Sequence, residues 1–132
     1  MPGPLAADCL RVIEGARKVA RSAAYLAGLV EIQDAASQAA ACHAGAAPGE
    51  TVLDFCAGGG GKTLALGAAM RKQGRLLAHD ISAARLAELR PRAERAGLAV
   101  EILAPTPRAF GPSIRMVRRL SERASPALSA AS

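Results

Sequence analysis

The spacing of apolar and polar positions predicts an ordered series of helices and strands along the 132-residue chain. Apolar residues recur at three- and four-residue intervals, which is helical spacing, in segment 5–20, and helices are also predicted over 35–44, 62–70 and 83–96. Short apolar runs bounded by turn residues are typical of buried strands, and they occur in three places: 51–55, 75–79 and 100–103. The later elements alternate strand, helix, strand, helix, strand, which is the beginning of a doubly wound parallel sheet.

Capping and turn residues sharpen the boundaries of these elements. Asp34 suits the N-cap of the helix over 35–44, and Gly45 suits the end of that helix. Residues 29–32 are predicted to form a further short strand. Pro91 lies inside the last helix, where a proline removes a backbone hydrogen bond, so we expect this helix to be split into two pieces.

Composition and charge add little to this pattern. Hydrophobic residues make up 51% of the chain but aromatic residues only 2%, so leucine, valine, isoleucine and alanine must build the core. The net charge is +6, yet residues 105–132 hold five arginines against one acid and carry most of the excess. The charge is therefore weak evidence for a nucleic-acid partner. Apart from two helical turns predicted at 114–120, this proline-rich tail is typical of an irregular segment.

Several classes of protein do not fit the sequence. No apolar run approaches the ~20 residues that a membrane span needs, and the N-terminus does not resemble a signal peptide. The three cysteines, Cys9, Cys42 and Cys56, form no Cys-x-x-Cys pair and have no nearby zinc ligands. We therefore expect a soluble cytoplasmic protein with no metal site and no membrane partner.

The stretch with chemical information is a glycine run, 58–61, between a predicted strand and a predicted helix. Glycines at such a turn let a ligand approach the backbone closely, and the amides at the start of the helix point towards it. Asp80 ends the next predicted strand, about 20 residues further on, where an acid can accept hydrogen bonds from ribose hydroxyls. The loop and the acid together predict a nucleoside site.

Three kinds of nucleoside site compete with a bare glycine turn. A Walker phosphate loop needs glycine five residues before Gly61, and Cys56 stands there. A dinucleotide site needs Gly-x-Gly-x-x-Gly, which no starting glycine of the run satisfies. A methyltransferase loop has an acid at the strand end, then small residues and Gly-x-Gly, which fits Asp54, Cys56, Gly58 and Gly60. We favour the third interpretation.

Residues 52–63 resemble motif I of the RsmB/NOP/Sun family of RNA cytosine-5 methyltransferases, although that family often has Ala-Pro in place of Gly58-Gly59. The preceding blocks 25–28 and 33–38 are also similar to that family, and so are the later blocks 79–82, 85–86 and 95–97. The resemblance implies a class I, Rossmann-like α/β methyltransferase fold, only part of which is contained in this chain. The resemblance covers roughly residues 25–98. We divide the chain into a helical N-terminal segment (1–47), a partial cofactor-binding domain (48–104) and an irregular basic tail (105–132).

The resemblance also implies S-adenosylmethionine as the cofactor and gives roles to individual residues. Asp80 would bind the ribose hydroxyls, and Arg85 would help to orient that region. Asp54 would organise the loop, while Gln33 and Asp34 would brace the fold. The methionine and ribose would be wrapped, largely by backbone atoms, by seven consecutive residues: Cys56, Ala57, Gly58, Gly59, Gly60, Gly61 and Lys62.

Two departures from the family pattern bear on activity. Residues 104–107 lack the acid that the family has after its third strand, and no cysteine follows Cys56. The family's reaction needs a cysteine thiolate that adds to carbon 6 of cytosine and so activates carbon 5. We therefore expect an RNA methyltransferase, of ribosomal RNA, whose catalytic cysteines are missing from this chain through a truncation or frameshift. The alternative is a non-catalytic nucleotide- or RNA-binding module.

Overall fold

The computed structural model describes residues 8–103, which fold around a parallel three-stranded sheet. The strands are β1 (Thr51–Asp54), β2 (Arg75–Ala78) and β3 (Glu101–Ile102), in the spatial order β1-β2-β3. The four α-helices are α1 (Ala23–Leu26), α2 (Ala35–His43), α3 (Gly61–Ala69) and α4 (Ala83–Arg95), and a 3₁₀ helix (Ala16–Arg21) precedes them. The predicted α/β class and parallel sheet are confirmed.

The core lies mainly between the sheet and the two crossover helices, α3 between β1 and β2 and α4 between β2 and β3. In the register of β1 and β2, Val52 pairs with Leu76, and both pack with Leu66 of α3 and Ala41 of α2. Ala78 lies two residues further along β2, hence on the same face as Leu76, and packs in the α4 cluster. Both crossover helices therefore cover the same face of the sheet, as right-handed connections between successive neighbouring strands require.

The helix predicted over 5–20 is wrong within the described residues. Residues 8–15 contain no helix, and only the short 3₁₀ helix follows them. Gly15 takes the left-handed conformation, with φ of 69°, immediately before that 3₁₀ helix. The apolar spacing was misleading because Val12 and Ile13 are exposed rather than packed in a common stripe.

The short strand predicted at 29–32 is also wrong. This segment runs without a strand partner to Asp34, the N-cap of α2. It lies against the C-terminal end of α4: a Cβ added to Gly28 would sit 1.9 Å from the carbonyl oxygen of Arg95. The side chain of Glu31 is held there as well, by Arg95 Nη2 at 2.6 Å. Packing on a helix therefore replaces the predicted strand pairing.

Pro91 does not divide the last predicted helix, which is continuous as α4. A proline at position 91 has no amide hydrogen to donate to the carbonyl of Ala87. Pro91 and Ala87 are both exposed, so water can hydrate that carbonyl. Leu89 and Ala93, on either side of the proline, are both buried in the core. Their burial holds the two halves of α4 on one axis.

The predicted helix boundaries agree well with the structure where a side chain caps the backbone. Asp34 Oδ1 accepts the amide of Ser37 at the start of α2, and Ser82 accepts the amide of Arg85 at the start of α4. Gly45 and Gly97, just past α2 and α4, have φ of 66° and 61°. The helical turns predicted at 114–120 lie outside the described residues. Among residues 8–103, no helix has the length and apolar character of a membrane span.

Candidate cofactor site

The glycine loop joins the carboxyl end of β1 to the amino end of α3. Gly60 is the N-cap of α3 with φ of 90°, and its amide donates to the carbonyl of Ala57 at 2.9 Å. A Cβ on Gly60 would lie 2.2 Å from Cδ1 of Leu89, which is fully buried. Glycine is therefore required here both by the backbone conformation and by the packing of α4 against the loop.

Asp80 lies beneath this loop and is only 6% exposed. Its Oδ1 accepts the amide of Ser82 at 2.8 Å, and its Oδ2 accepts the amide of Gly58 at 2.9 Å. These hydrogen bonds from Ser82 and Gly58 hold the pKa of the Asp80 carboxyl below its ordinary value. The carboxylate is thus ionised at neutral pH, and it organises the loop. Each of its oxygens has a second lone pair that a ribose hydroxyl can use.

Asp54 braces the same loop from the end of β1. Its Oδ2 accepts the hydroxyl of Thr63, in the first turn of α3, at 2.7 Å. Its carbonyl accepts the amide of His79 at 2.8 Å, and the carbonyl of His79 accepts the amide of Ala57 at 2.9 Å. The loop is therefore tied at both ends to β1 and β2, as the predicted organising role of Asp54 requires.

A cleft of about 440 Å³ opens between the glycine loop, α4 and the start of α2. Seven of the nine residues predicted to bind cofactor line it: Cys56, Ala57, Gly58, Gly59, Gly61, Lys62 and Arg85. Of the other two, Gly60 is a buried residue of the loop itself, and Asp80 is buried beneath the loop. The cleft thus brings the predicted loop residues together with Arg85, while the contact between Asp80 and ribose stays a prediction.

Five further residues line the cleft but were not predicted to bind cofactor: Ile32, Gln33, Asp34, Ser37 and Arg92. Gln33 and Asp34 do brace the fold, since the Gln33 carbonyl accepts from Gln38 Nε2 and Asp34 caps α2. Arg92 was missed altogether. The one signal for it was its position seven residues after Arg85, which places both side chains on one face of α4.

Arg92 joins three parts of the molecule. Its Nη1 donates to the carbonyl of Gly59 in the loop at 2.5 Å, and its Nη2 lies 3.3 Å from Oε1 of Glu31. The other Glu31 oxygen accepts from Arg95 Nη2, and the Arg95 guanidinium lies 4.1 Å from the centre of the Tyr25 ring. These long-range contacts link the glycine loop, α4 and the segment before α2.

The charge of the cleft favours an anionic ligand group. Lys62, Arg85 and Arg92 line the cleft beside one acid, Asp34, whose pKa is held below its ordinary value by hydrogen bonds from Ser37. Arg92 is also paired with Glu31, so Lys62 and Arg85 carry most of the positive charge that a ligand can use. The first amides of α3 add partial positive charge at the same place. Among residues 8–103, no group of histidine, cysteine, aspartate or glutamate side chains could hold a metal ion.

The cysteines differ in their relation to the cleft. Cys56 is exposed and lines it, Cys42 is exposed on α2, and Cys9 is buried. Cys56 thus belongs to the wall that the glycine loop contributes to the cleft.

Comparisons with known proteins match this part of the chain to rRNA methyltransferases. The family model described as 16S rRNA methyltransferase RsmB/F matches residues 43–110. Ribosomal RNA small subunit methyltransferase B of Pseudomonas syringae pv. tomato is 39% identical over 80 residues, which is 61% of this chain and 18% of that protein. The 28S rRNA (cytosine-C(5))-methyltransferase of Mus musculus is 39% identical over 74 residues, 56% of this chain and 16% of that protein.

A solved structure shares the fold. It is a methyltransferase homologue from Pyrococcus horikoshii, 31% identical, with a TM-score of 0.64 over 74% of this chain and 32% of that protein. The chain spans less than a fifth of the length of the curated relatives it matches. The family match extends over more than half of the chain and includes the whole glycine loop and Asp80. The predicted resemblance is confirmed, and the chain belongs to the RsmB/F family of rRNA methyltransferases.

Proposed function

We propose that residues 8–103 form the cofactor-binding part of an RNA cytosine-5 methyltransferase and that the cleft binds S-adenosylmethionine. The observation that carries this proposal is the cleft between the glycine loop and the start of α2, with Asp80 holding the loop from beneath. Family membership narrows the ligand from nucleosides in general to this methyl donor, and the names of the relatives favour ribosomal RNA as the substrate.

The residues present fit such a ligand. Nothing stands within 4 Å of the place where a Gly58 side chain would begin, so a ligand can lie directly on this part of the loop. Lys62 and the first amides of α3 suit a carboxylate, and Asp80 suits a hydroxyl-bearing sugar. When bound, S-adenosylmethionine supplies an activated methyl group, and the role of this chain is to hold and orient it.

Methyl transfer to cytosine also needs a thiolate that attacks carbon 6 of the base. The sequence has three cysteines, and none follows Cys56. We propose that the described residues serve cofactor binding and that the attack on the base depends on residues that this chain does not contain. Action in the cytoplasm belongs to the same proposal.

Isothermal titration calorimetry tests the cofactor assignment. S-adenosylmethionine and S-adenosylhomocysteine are expected to bind the purified chain, whereas ATP is not. Arg85→Ala should weaken binding, and Arg75→Ala is the matched control. Arg75 carries the same charge but pairs with Glu101 at the amino end of β2, away from the cleft. Binding of ATP in preference to S-adenosylmethionine would refute the proposal in favour of a nucleotide-binding module.

A further inference from the structure

One wall of the cleft is a segment with no secondary structure of its own. Residues 28–34, which we call the N-terminal wall, run along α4 to the start of α2, and Ile32, Gln33 and Asp34 within it line the cleft. Its two ends are hydrogen-bonded to α1 and α2, and between them its position depends on side-chain contacts. The seating of Glu31 on α4 therefore completes this side of the cleft.

The contacts that seat the wall lead to the glycine loop. Glu31 accepts from Arg95 and pairs with Arg92, and all three side chains are mostly shielded from solvent. Arg92 also donates to the carbonyl of Gly59, on the opposite side of the cleft. One planar guanidinium thus contacts both the wall and the loop, a geometry that a lysine ammonium cannot reproduce.

The wall also presents an unsatisfied donor beside the loop. Gln33 Nε2 is buried and has no hydrogen-bond partner among residues 8–103, and it lies 3.4 Å from the position that a Gly61 Cβ would take. A buried amide without a partner is unfavourable until an acceptor is supplied. Because Gln33 lines the cleft, a small movement of its side chain would bring this donor to a ligand acceptor, and such a contact would stabilise the seated wall.

We propose that Arg92 is a positioning residue that couples occupation of the cleft to the seating of the N-terminal wall. The coupling acts through Glu31 on one side and the Gly59 carbonyl on the other, and a ligand acceptor at Gln33 Nε2 strengthens it. This inference rests on the proposed binding of S-adenosylmethionine. It adds that the loop alone is not the binding unit, because the wall and the loop must be held together.

The test measures affinity for S-adenosylmethionine in the full chain and in four variants. By coupling arguments, Arg92→Lys and Glu31→Gln should each weaken binding by about tenfold, and the double variant should be hardly weaker than either one. Arg90→Lys is the matched control, because Arg90 is exposed on the same helix and the cleft is lined without it. The control should bind as the wild type does.

Hydrogen exchange followed by mass spectrometry supplies a readout that a purely structural role would not change. Adding S-adenosylmethionine should slow exchange in peptides that cover residues 24–34 of the wild type. In Arg92→Lys, at a concentration that gives equal occupation of the site, this protection should be lost while protection of the glycine loop remains.

The outcomes separate the two proposals. If Arg92→Lys and Arg90→Lys both bind S-adenosylmethionine as tightly as the wild type does, the coupling is overturned and the cofactor assignment stays in place. Undiminished protection of residues 24–34 in Arg92→Lys also overturns the coupling. Absence of binding by the folded wild-type chain overturns the proposed function, and this inference with it.

Discussion

Replacing Gly60 by alanine tests whether the glycine loop is fixed by its packing on α4 as well as by its backbone conformation. Gly60 has φ of 90°, and a new Cβ would lie 2.2 Å from Cδ1 of Leu89, a fully buried side chain. Placing an L-residue in the left-handed region costs about 1–2 kcal/mol. Forcing a methyl group into a packed core adds about 1–3 kcal/mol. We therefore expect Gly60→Ala to lower the free energy of unfolding by about 2–5 kcal/mol.

Two other glycines separate the backbone contribution from the packing contribution. Gly49 and Gly58 have φ of 83° and 54°, and nothing lies within 4 Å of a Cβ built on either one. Alanine at these positions should incur only the backbone cost, about 1–2 kcal/mol. Gly58→Ala is the control within the same loop, and Gly49→Ala is the control outside it.

Thermal and urea unfolding, followed by far-ultraviolet circular dichroism, measures these differences. The expected gap between Gly60→Ala and the controls is about 1–3 kcal/mol, or roughly 5–20 °C in melting temperature for a domain of this size. If Gly60→Ala is already unfolded at low temperature while both control variants are folded, the packing argument is supported in its strongest form. Equal midpoints for Gly60→Ala and Gly58→Ala would refute the packing argument.

Four further predictions concern the cofactor, pH, activity and association. Asp80→Ala should weaken S-adenosylmethionine binding by at least about tenfold, and an unchanged dissociation constant would show that the ribose binds elsewhere. Because hydrogen bonds from Ser82 and Gly58 lower the pKa of Asp80 in the folded state, its stabilising contribution is complete above the unfolded value of ~4 and is lost as pH falls through the lower folded value. The melting temperature of the wild type should therefore drop more steeply on acidification than that of Asp80→Asn, and parallel curves would contradict this. The purified chain should not transfer labelled methyl groups to unmodified ribosomal RNA; 5-methylcytosine formed above a control with all three cysteines changed to serine would disprove it. Finally, β1 pairs only with β2 within residues 8–103, so its other edge should promote association, and a monomer with a sharp melting transition would show otherwise.

Association through β1 would matter for any measurement on the isolated chain. Val52 and Leu53 are both 2% exposed, so β1 is an apolar strand despite having one described neighbour. A strand of this kind is a good template for further pairing. Binding and exchange experiments are therefore best made at low protein concentration and low temperature, with the monomer fraction measured alongside.

The sequence by itself determined the elements whose signals are local. The capping side chains of Asp34 and Ser82 act within three residues of chain, so the starts of α2 and α4 were predictable. The glycine loop and Asp80 could be recognised because their order and spacing are characteristic of a nucleoside site. The alternation of strands and helices predicted the parallel sheet in the same way.

Only the tertiary structure decided the features that depend on distant contacts. Arg92 reaches Gly59 across 33 residues, and Arg95 reaches Glu31 across 64 residues. No local spacing encodes either contact, and so Arg92 was missed and residues 29–32 were predicted as a strand. The break predicted at Pro91 is wrong for the same reason. The prediction considered only the hydrogen bond that proline removes and not the burial of Leu89 and Ala93 on either side. Side-chain caps and glycine conformations are set within one turn of backbone, whereas the wall of the cleft forms only after the chain has packed onto α4.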